Sequence, residues 1–142
     1  ERLYRVVVAN DHAVLLGWTD KTVFCIGELA EMLAGSVRRG GTLVFMGDFP
    51  ANEVYKEVSI VYPDWSKRFP GVRLICRHGK PCELDDLKKL SLHAARHVVV
   101  LGCGAKPGLA DSHTITVVCA LRCLPQRLPR STLVVVELQL PQ

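Results

Sequence analysis

The residues with the clearest chemical potential follow the first apolar run of the sequence. Residues 13–21 read AVLLGWTDK, and an apolar strand that breaks at a glycine before a helix is how dinucleotide-binding folds begin. That fingerprint needs two further glycines, but the register from Gly17 places Thr19 and Thr22 in those positions. Asp20 adds a carboxylate that can cap the helix and take the amides a phosphate would use. The sequence therefore predicts a structural turn rather than a phosphate site.

One acid supports an alternative function, a nucleotide-binding module or an NAD-dependent enzyme. Asp48 follows the second predicted strand, near the position where an acid would hold the adenosine ribose. Aspartate is also common beside turns for conformational reasons alone. We therefore assign Gly17, Trp18 and Asp20 to the structural turn and predict no cofactor-binding residue.

Motifs for catalysis are missing from the sequence. It has no G-x-S-x-G elbow, no P-loop lysine and no recognisable carboxylate pair. The five histidines are scattered, so each is predicted to have a surface or core role. The six cysteines form no CxxC pair and no zinc pattern, which predicts buried thiols in a reducing compartment, with Cys119 and Cys123 packed in a core. We predict no catalytic residue and no enzymatic activity.

Composition sets the class of protein. The chain has 142 residues, of which 49% are hydrophobic and 23% charged, as in one globular domain with a real core. Its formal charge of +4 comes from dispersed basic residues without interleaved aromatic residues, so we predict no nucleic-acid partner. No apolar run approaches the roughly 18 residues that cross a bilayer, and the N-terminus lacks a signal-peptide pattern. Any membrane contact is expected through segments outside this chain.

The elements that would position these residues alternate along the chain. Five nearly all-apolar runs predict parallel strands covered on both faces: 12–16, 42–46, 72–76, 97–101 and 133–138. Between them, helical spacing or capping residues predict helices at 22–33, 83–92 and 110–124, and more weakly at 50–62, where 58–61 is strand-like. This alternation predicts an α/β fold: a Rossmann-like, doubly wound, mainly parallel sheet with helices on both faces.

Three stretches carry a family resemblance: GWTDK, ICRHGKPCELDDLKKLSLHAARHVVVL and LADSHTITVVCALRCL. Together they resemble the regulatory domain of the Castor/Pollux family of ion channels, whose members carry the RCK (regulator of conductance of potassium) fold. The long middle block is the specific part. The resemblance runs from about His12 to Glu137 and leaves the first residues and 50–64 poorly matched.

The resemblance implies that residues 1–142 are one RCK N-terminal domain, a fragment of a larger membrane channel. Such domains hang below a tetrameric pore and assemble into a gating ring, where ligand binding pulls on the pore-lining helices. The implied function is a ligand-sensing domain of a cation channel that responds to calcium and faces a reducing compartment, cytosol or nucleoplasm. For a plant source, the nuclear envelope is an additional candidate location. In the calcium-responsive branch the first loop is structural.

Calcium ligands are predicted among six acids, although two motifs of the relatives are incomplete. Relatives carry an Asp-x-x-Asp pattern and an E-x-E pattern, and in this chain each pattern lacks its second acid. Thr114 follows Asp111 in the first, and Gln139 follows Glu137 in the second. Calcium takes six to eight oxygen ligands, which the acids at the carboxyl ends of the strands can supply in part. An equally open interpretation is that the acids 83–86 only favour a helix N-terminus. The candidates are Asp48, Glu83, Asp85, Asp86, Asp111 and Glu137.

Overall fold

Five apolar runs form one parallel sheet in the computed structural model, which describes residues 6–102 and 107–137, with the backbone alone for 107–111. The strands are β1 (Ala13–Leu16), β2 (Gly41–Gly47), β3 (Val72–His78), β4 (His97–Val100) and β5 (Leu133–Val136). Their order is β3-β2-β1-β4-β5, and every neighbouring pair is parallel. The chain therefore has the predicted α/β, Rossmann-like fold.

Helices connect the strands on both faces of the sheet. They are α1 (Thr22–Ala34), α2 (Ala51–Val61), α3 (Trp65–Arg68), α4 (Leu84–Leu87) and α5 (Pro107–Arg122). The weakly predicted second helix is present as α2, because Val54 and Val58 are four residues apart and both bury against the sheet. Helix α5 begins at Pro107, three residues before its predicted start, where the fixed φ of proline suits a first helical turn.

The predicted helix at 83–92 is wrong. Helix α4 has only four residues, and 3-10 turns at Lys88–Leu90 and Leu92–Ala94 replace the rest. Ser91 separates the two turns with a left-handed φ of 52°, and its hydroxyl donates to the Val7 carbonyl. The side chains of Leu87, Leu90, Leu92 and Ala95 are all buried in one cluster. This spacing does not follow one face of an α-helix, so burying all four residues breaks the helix.

Two apolar clusters, one on each face, hold the layers together. On one face Val14, Leu16, Val44 and others pack against α4, the 3-10 turns and α5. On the opposite face Ala13, Leu15 and Phe45 pack against α1 and α2. Strand β1 lies at the centre of the sheet and is buried on both sides along its whole length.

Strand β5 departs from the prediction of a strand covered on both faces. Leu133, Val134 and Val135 are 56%, 41% and 47% exposed, although β5 is as apolar as the fully buried β1. Within the described residues, β5 pairs with β4 alone. The sequence correctly predicted the strand but not its position at the edge of the sheet.

Candidate functional site

The turn after β1 depends on the absence of a side chain at Gly17. Its φ is +113°, and a Cβ atom there would lie 2.8 Å from the Leu101 carbonyl oxygen. The Gly17 amide donates to the Met46 carbonyl at 2.8 Å, so the turn is joined to β2. Both the φ of Gly17 and its close approach to the backbone exclude other side chains at this turn.

Threonine hydroxyls close the loop that would otherwise face a phosphate. The Thr19 amide donates to Thr22 Oγ1 at 2.8 Å, and the Thr22 hydroxyl donates to the Gly17 carbonyl at 2.9 Å. The Lys21 amide donates to Thr19 Oγ1 at 3.0 Å. Thr22 is completely buried. Two amides that a pyrophosphate would need are therefore already paired within the loop.

The predicted capping role of Asp20 is wrong. Helix α1 begins at Thr22, its N-cap position is Lys21, and no side chain caps it there. The acid that pairs with Lys21 follows β5. Glu137 Oε2 lies 2.9 Å from Lys21 Nζ, and Glu137 Oε1 accepts the Gly102 amide at 3.1 Å. One carboxylate thus joins the ends of β4 and β5 to the start of α1.

Trp18 covers the carboxyl end of β2. Its ring stacks on Phe49 at a centroid distance of 4.2 Å and an interplanar angle of 5°, and it meets Phe45 edge-on at 6.1 Å. A Cβ at Gly47 would lie 2.9 Å from the Trp18 amide nitrogen, so β2 and the turn are in close contact. Trp18 therefore packs between the turn and the end of β2.

A cavity of about 300 Å³ opens beside this turn, at the carboxyl edge of the sheet. Carboxyl edges of open α/β sheets are where ligands gather. Its lining has one acid, one lysine, one thiol and one imidazole among its polar groups. The lining residues are Gly17, Trp18, Asp48, Lys80, Pro81, Cys82 and His113.

Asp48 and Asp86 lie near this edge, and both are already paired. Asp48 Oδ1 is 3.0 Å from His78 Nε2. Asp86 Oδ2 accepts the Lys80 amide at 2.8 Å, and its Oδ1 is 3.4 Å from Lys89 Nζ. Asp86 therefore holds the loop after β3 in place, a role that its position in the sequence did not show.

Three other candidate acids have separate surroundings. Asp85 is 3.8 Å from Lys88 and 95% exposed, Glu83 occupies the N-cap position of α4, and Glu137 pairs with Lys21. Asp111 lies in α5, where its side chain is outside the described part of the chain. Within the described residues, no three histidine, cysteine, aspartate or glutamate side chains are grouped closely enough to hold a metal ion. The calcium set stays a prediction.

Two histidines are buried rather than poised for catalysis. Burial lowers the pKa of His12, whose Nε2 donates to the Leu90 carbonyl at 2.9 Å, and burial also lowers the pKa of His97. Both rings therefore favour the neutral form. This agrees with the structural roles predicted for them.

The cysteines are only partly as predicted. Cys76 is buried, and burial raises the pKa of its thiol to about 12, which makes it a poor nucleophile. Cys119 and Cys123 are exposed on or just after α5, so their predicted core packing is wrong. The two cysteines are four residues apart and lie near one face of the helix, but this face is exposed. The buried face is occupied by Val117, Ala120 and Leu121.

Four residues contribute to the site although no sequence pattern predicted it: Lys21, Thr22, Phe49 and His78. Thr19 and Thr22 occupy the positions of two missing glycines, and hydroxyl residues beside a turn commonly bond to nearby backbone groups. That signal was available in the sequence. The contact between Lys21 and Glu137 joins residues 116 positions apart and has no local signal.

Comparison with known proteins points to one family, although no protein-family model matches the chain. The chain is 31% identical over 115 residues to "Ion channel DMI1" of Medicago truncatula, to "Ion channel CASTOR" of Lotus japonicus and to "Probable ion channel POLLUX" of Arabidopsis thaliana. Each match covers 81% of this chain but only 12–13% of the relative. None of the helices among the described residues has the length and apolar character that crossing a bilayer requires.

Proposed function

This chain belongs to the Castor/Pollux family, and from that membership we propose that it is a regulatory domain of a cation channel. The observation that carries the proposal is the similarity, over 81% of the chain, to one segment of proteins named as ion channels. We assign it to the RCK N-terminal type, a non-enzymatic domain that assembles into a gating ring below a tetrameric pore. Its role is to convert ligand binding into a shift between two ring conformations.

Calcium is the ligand that we propose, with Asp48, Glu83, Asp85, Asp86, Asp111 and Glu137 as the source of its oxygen ligands. Carboxylates at the carboxyl edge supply the hard oxygens that calcium prefers. Two of these acids form ion pairs with lysines: Glu137 with Lys21, and Asp86 with Lys89. An ion that bound Glu137 would compete with the contact between β5 and α1. Such competition would couple binding to the position of α1.

The alternative of an NAD-binding module has less support. It would need free amides in the first loop and an acid available to the ribose. The Thr19 and Lys21 amides are paired within the loop, and Asp48 is paired with His78. The fold alone permits either function.

The proposal is tested in the full-length protein reconstituted in planar bilayers, with calcium stepped from zero to millimolar on the side that carries this domain. We expect calcium to change the open probability and to raise the melting temperature of the assembled protein, because a ligand of the native state stabilises it. The variant Glu83→Ala/Asp86→Ala should weaken both responses. The control Glu53→Ala/Glu57→Ala removes two acids from α2 instead.

Two results would contradict the proposal at different levels. Absence of ion conduction by the full-length protein would reject the channel assignment. Conduction and melting that ignore millimolar calcium in wild type and in both variants would reject calcium as the ligand while leaving the channel assignment in place.

A further inference from the structure

A small cavity lies beside β3, at the edge of the sheet opposite to β5. Its volume is about 300 Å³, and it lies between β3 and residues 6–8, which precede β1. Its polar side chains are Arg73 and Arg77 from β3 and Tyr55 from α2, so we call it the arginine pocket. None of the described residues that line it is an acid. The other lining residues are Val6, Val7, Val8, Leu74 and Ile75.

The hydrophobic core fixes both walls of the arginine pocket. Alternate residues of a strand share a face, so Arg73 and Arg77 lie on the same face of β3 as Ile75. Ile75 is buried in the apolar cluster that also contains Val7. The Val7 amide donates to the Lys89 carbonyl at 2.7 Å, which holds the segment 6–8 against the core.

Two side chains pair with the backbone of β3 at Cys76. The Cys76 amide donates to Tyr55 Oη at 2.8 Å, and Arg77 Nη1 donates to the Cys76 carbonyl at 3.1 Å. The phenol and the guanidinium group are therefore held beside each other. Because the phenol oxygen accepts the amide, its own hydrogen can be donated to a ligand. Burial raises the pKa of Tyr55, so the phenol keeps this hydrogen at neutral pH.

The positive charge of the arginine pocket is not neutralised within the described structure. None of the ion pairs between described residues includes Arg73 or Arg77. Arg77 Nε is buried and has no hydrogen-bond partner among the described residues. Buried donors in native proteins nearly always have a partner, so this one points to a bound molecule. Two guanidinium groups without an acid favour an anion in that position.

A phosphate group fits these donors better than a carboxylate does. Guanidinium groups bind both anions in a forked geometry. A phosphate group presents at least three acceptor oxygens, enough for two guanidinium groups and a phenol, whereas a carboxylate presents only two. A volume of about 300 Å³ is at the small end of the range for ligand sites, so the ligand is small.

We propose that the arginine pocket binds inorganic phosphate or the phosphate group of a small ester, through Arg73, Arg77 and Tyr55. The bound group would lie between the edge strand β3 and the segment 6–8. The proposal depends neither on calcium nor on ion conduction, and it uses no residue of the first loop.

The test measures how fast individual arginines react with phenylglyoxal in the purified full-length protein, by mass spectrometry of the modified peptides. We expect millimolar inorganic phosphate, and glycerol phosphate as a small ester, to slow the modification of Arg73 and Arg77 several-fold. Potassium chloride and potassium acetate at the same ionic strength should slow it less. Arg96, which is exposed just before β4, is the internal control and should react equally in all four salts.

Variants test the individual donors. Arg73→Gln should remove the phosphate protection of Arg77, and Tyr55→Phe should raise the phosphate concentration for half protection several-fold. Arg96→Gln is the matched control and should leave the protection of Arg77 unchanged.

Several results would overturn the proposal. These are equal protection of Arg96, equal protection by chloride or acetate, and protection of Arg77 that survives Arg73→Gln. Failure of both pocket arginines to react without phosphate would also overturn it, because another part of the polypeptide would then fill the pocket. If a variant does not fold, the comparison of salts on the wild-type protein still decides.

Discussion

At the residue scale, hydroxyl groups rather than a carboxylate close the first loop. Thr22 is buried and accepts one hydrogen bond while donating another, so its single oxygen joins the Thr19 amide to the Gly17 carbonyl. The charged residues beside the loop act over longer distances. Lys21 reaches Glu137 on the last strand, and Asp86 holds the loop after β3. Hydrogen bonds within the loop thus define the turn, and charged side chains from distant parts of the sequence hold the neighbouring segments in place.

Replacing Gly17 by alanine is expected to destabilise the protein by about 1–3 kcal/mol, the cost of an unfavourable backbone conformation. The φ of +113° disfavours any side chain, and the new Cβ would meet the Leu101 carbonyl oxygen. Urea unfolding measures the change. Gly35→Ala is the matched control, because its Cβ would make only ordinary contacts and its φ is −87°. Equal stability of the two variants would contradict the prediction.

Stability should fall as the pH drops below about 6.5, the ordinary pKa of histidine. Burial lowers the pKa of His12 in the folded state, so the unfolded state binds more protons in this range. Stability from this group is complete above pH 6.5 and is lost towards the lower folded pKa, by at most about 1.4 kcal/mol per pH unit.

Urea unfolding between pH 7.5 and 5.5 checks this pH dependence. His12→Gln should flatten the slope, although His97, whose pKa is also lowered by burial, should retain part of it. The same slope in wild type and in His12→Gln would show that His12 does not cause it.

At the element scale, a single glycine controls how closely α1 and α2 pack. Gly27 lies in the middle of α1, where glycine lowers helix stability, and faces Tyr62 at the end of α2. Tyr62 is held by ring contacts with Trp65 and Phe69, and its hydroxyl is 3.3 Å from the Val23 carbonyl. At position 27, close packing of α1 against α2 therefore favours glycine, although helix propensity alone would favour alanine.

Gly27→Ala is expected to destabilise the protein by about 1–3 kcal/mol through overpacking, even though alanine is the better helix former. The new Cβ would clash with the Tyr62 hydroxyl oxygen, and the neighbouring rings restrict movement of that side chain. In a Tyr62→Ala background, the same substitution should be neutral or stabilising by up to about 1 kcal/mol. A double-mutant cycle from urea unfolding measures the coupling. Stabilisation by Gly27→Ala alone would refute this account.

At the scale of the whole molecule, the sheet order brings residues from several connections to one edge. The ends of β1 and β2 supply Gly17, Trp18 and Asp48, and the loop after β3 adds Lys80. The resulting cavity of about 300 Å³ is at the small end of the range for ligand sites. Its lining mixes an acid with basic groups, and the Gly17 and Lys80 amides in it are already paired.

The protein is therefore expected not to bind NAD or ATP with micromolar affinity. The loop amides of Thr19 and Lys21 are already paired, and the Trp18 and Phe49 rings stack at the end of β2. Isothermal titration calorimetry provides the measurement, with an established NAD-binding Rossmann domain as the positive control. Micromolar affinity for either nucleotide would restore the nucleotide-binding alternative.

Helices and strands were predictable where one pattern of apolar residues extends along the whole segment. The apolar runs gave all five strands, and the spacing of Ile26, Ala30 and Leu33 gave α1, because periodic burial is written locally in the sequence. The segment 83–92 failed because Leu87, Leu90 and Leu92 bury without one helical period. Their common burial depends on the surface they meet, which local spacing does not describe.

The sequence by itself determined the α/β class, the need for Gly17 at the first turn and the lack of acids between residues 112 and 136. Only the tertiary structure decided the partners of the charged groups and the exposure of β5. Lys21 and Glu137 meet because the strand order brings β5 beside β4 and β4 beside β1. Both β1 and β5 consist only of apolar residues, yet β1 is buried and β5 is exposed, because burial depends on the neighbours that a strand has in the sheet and not only on its own residues.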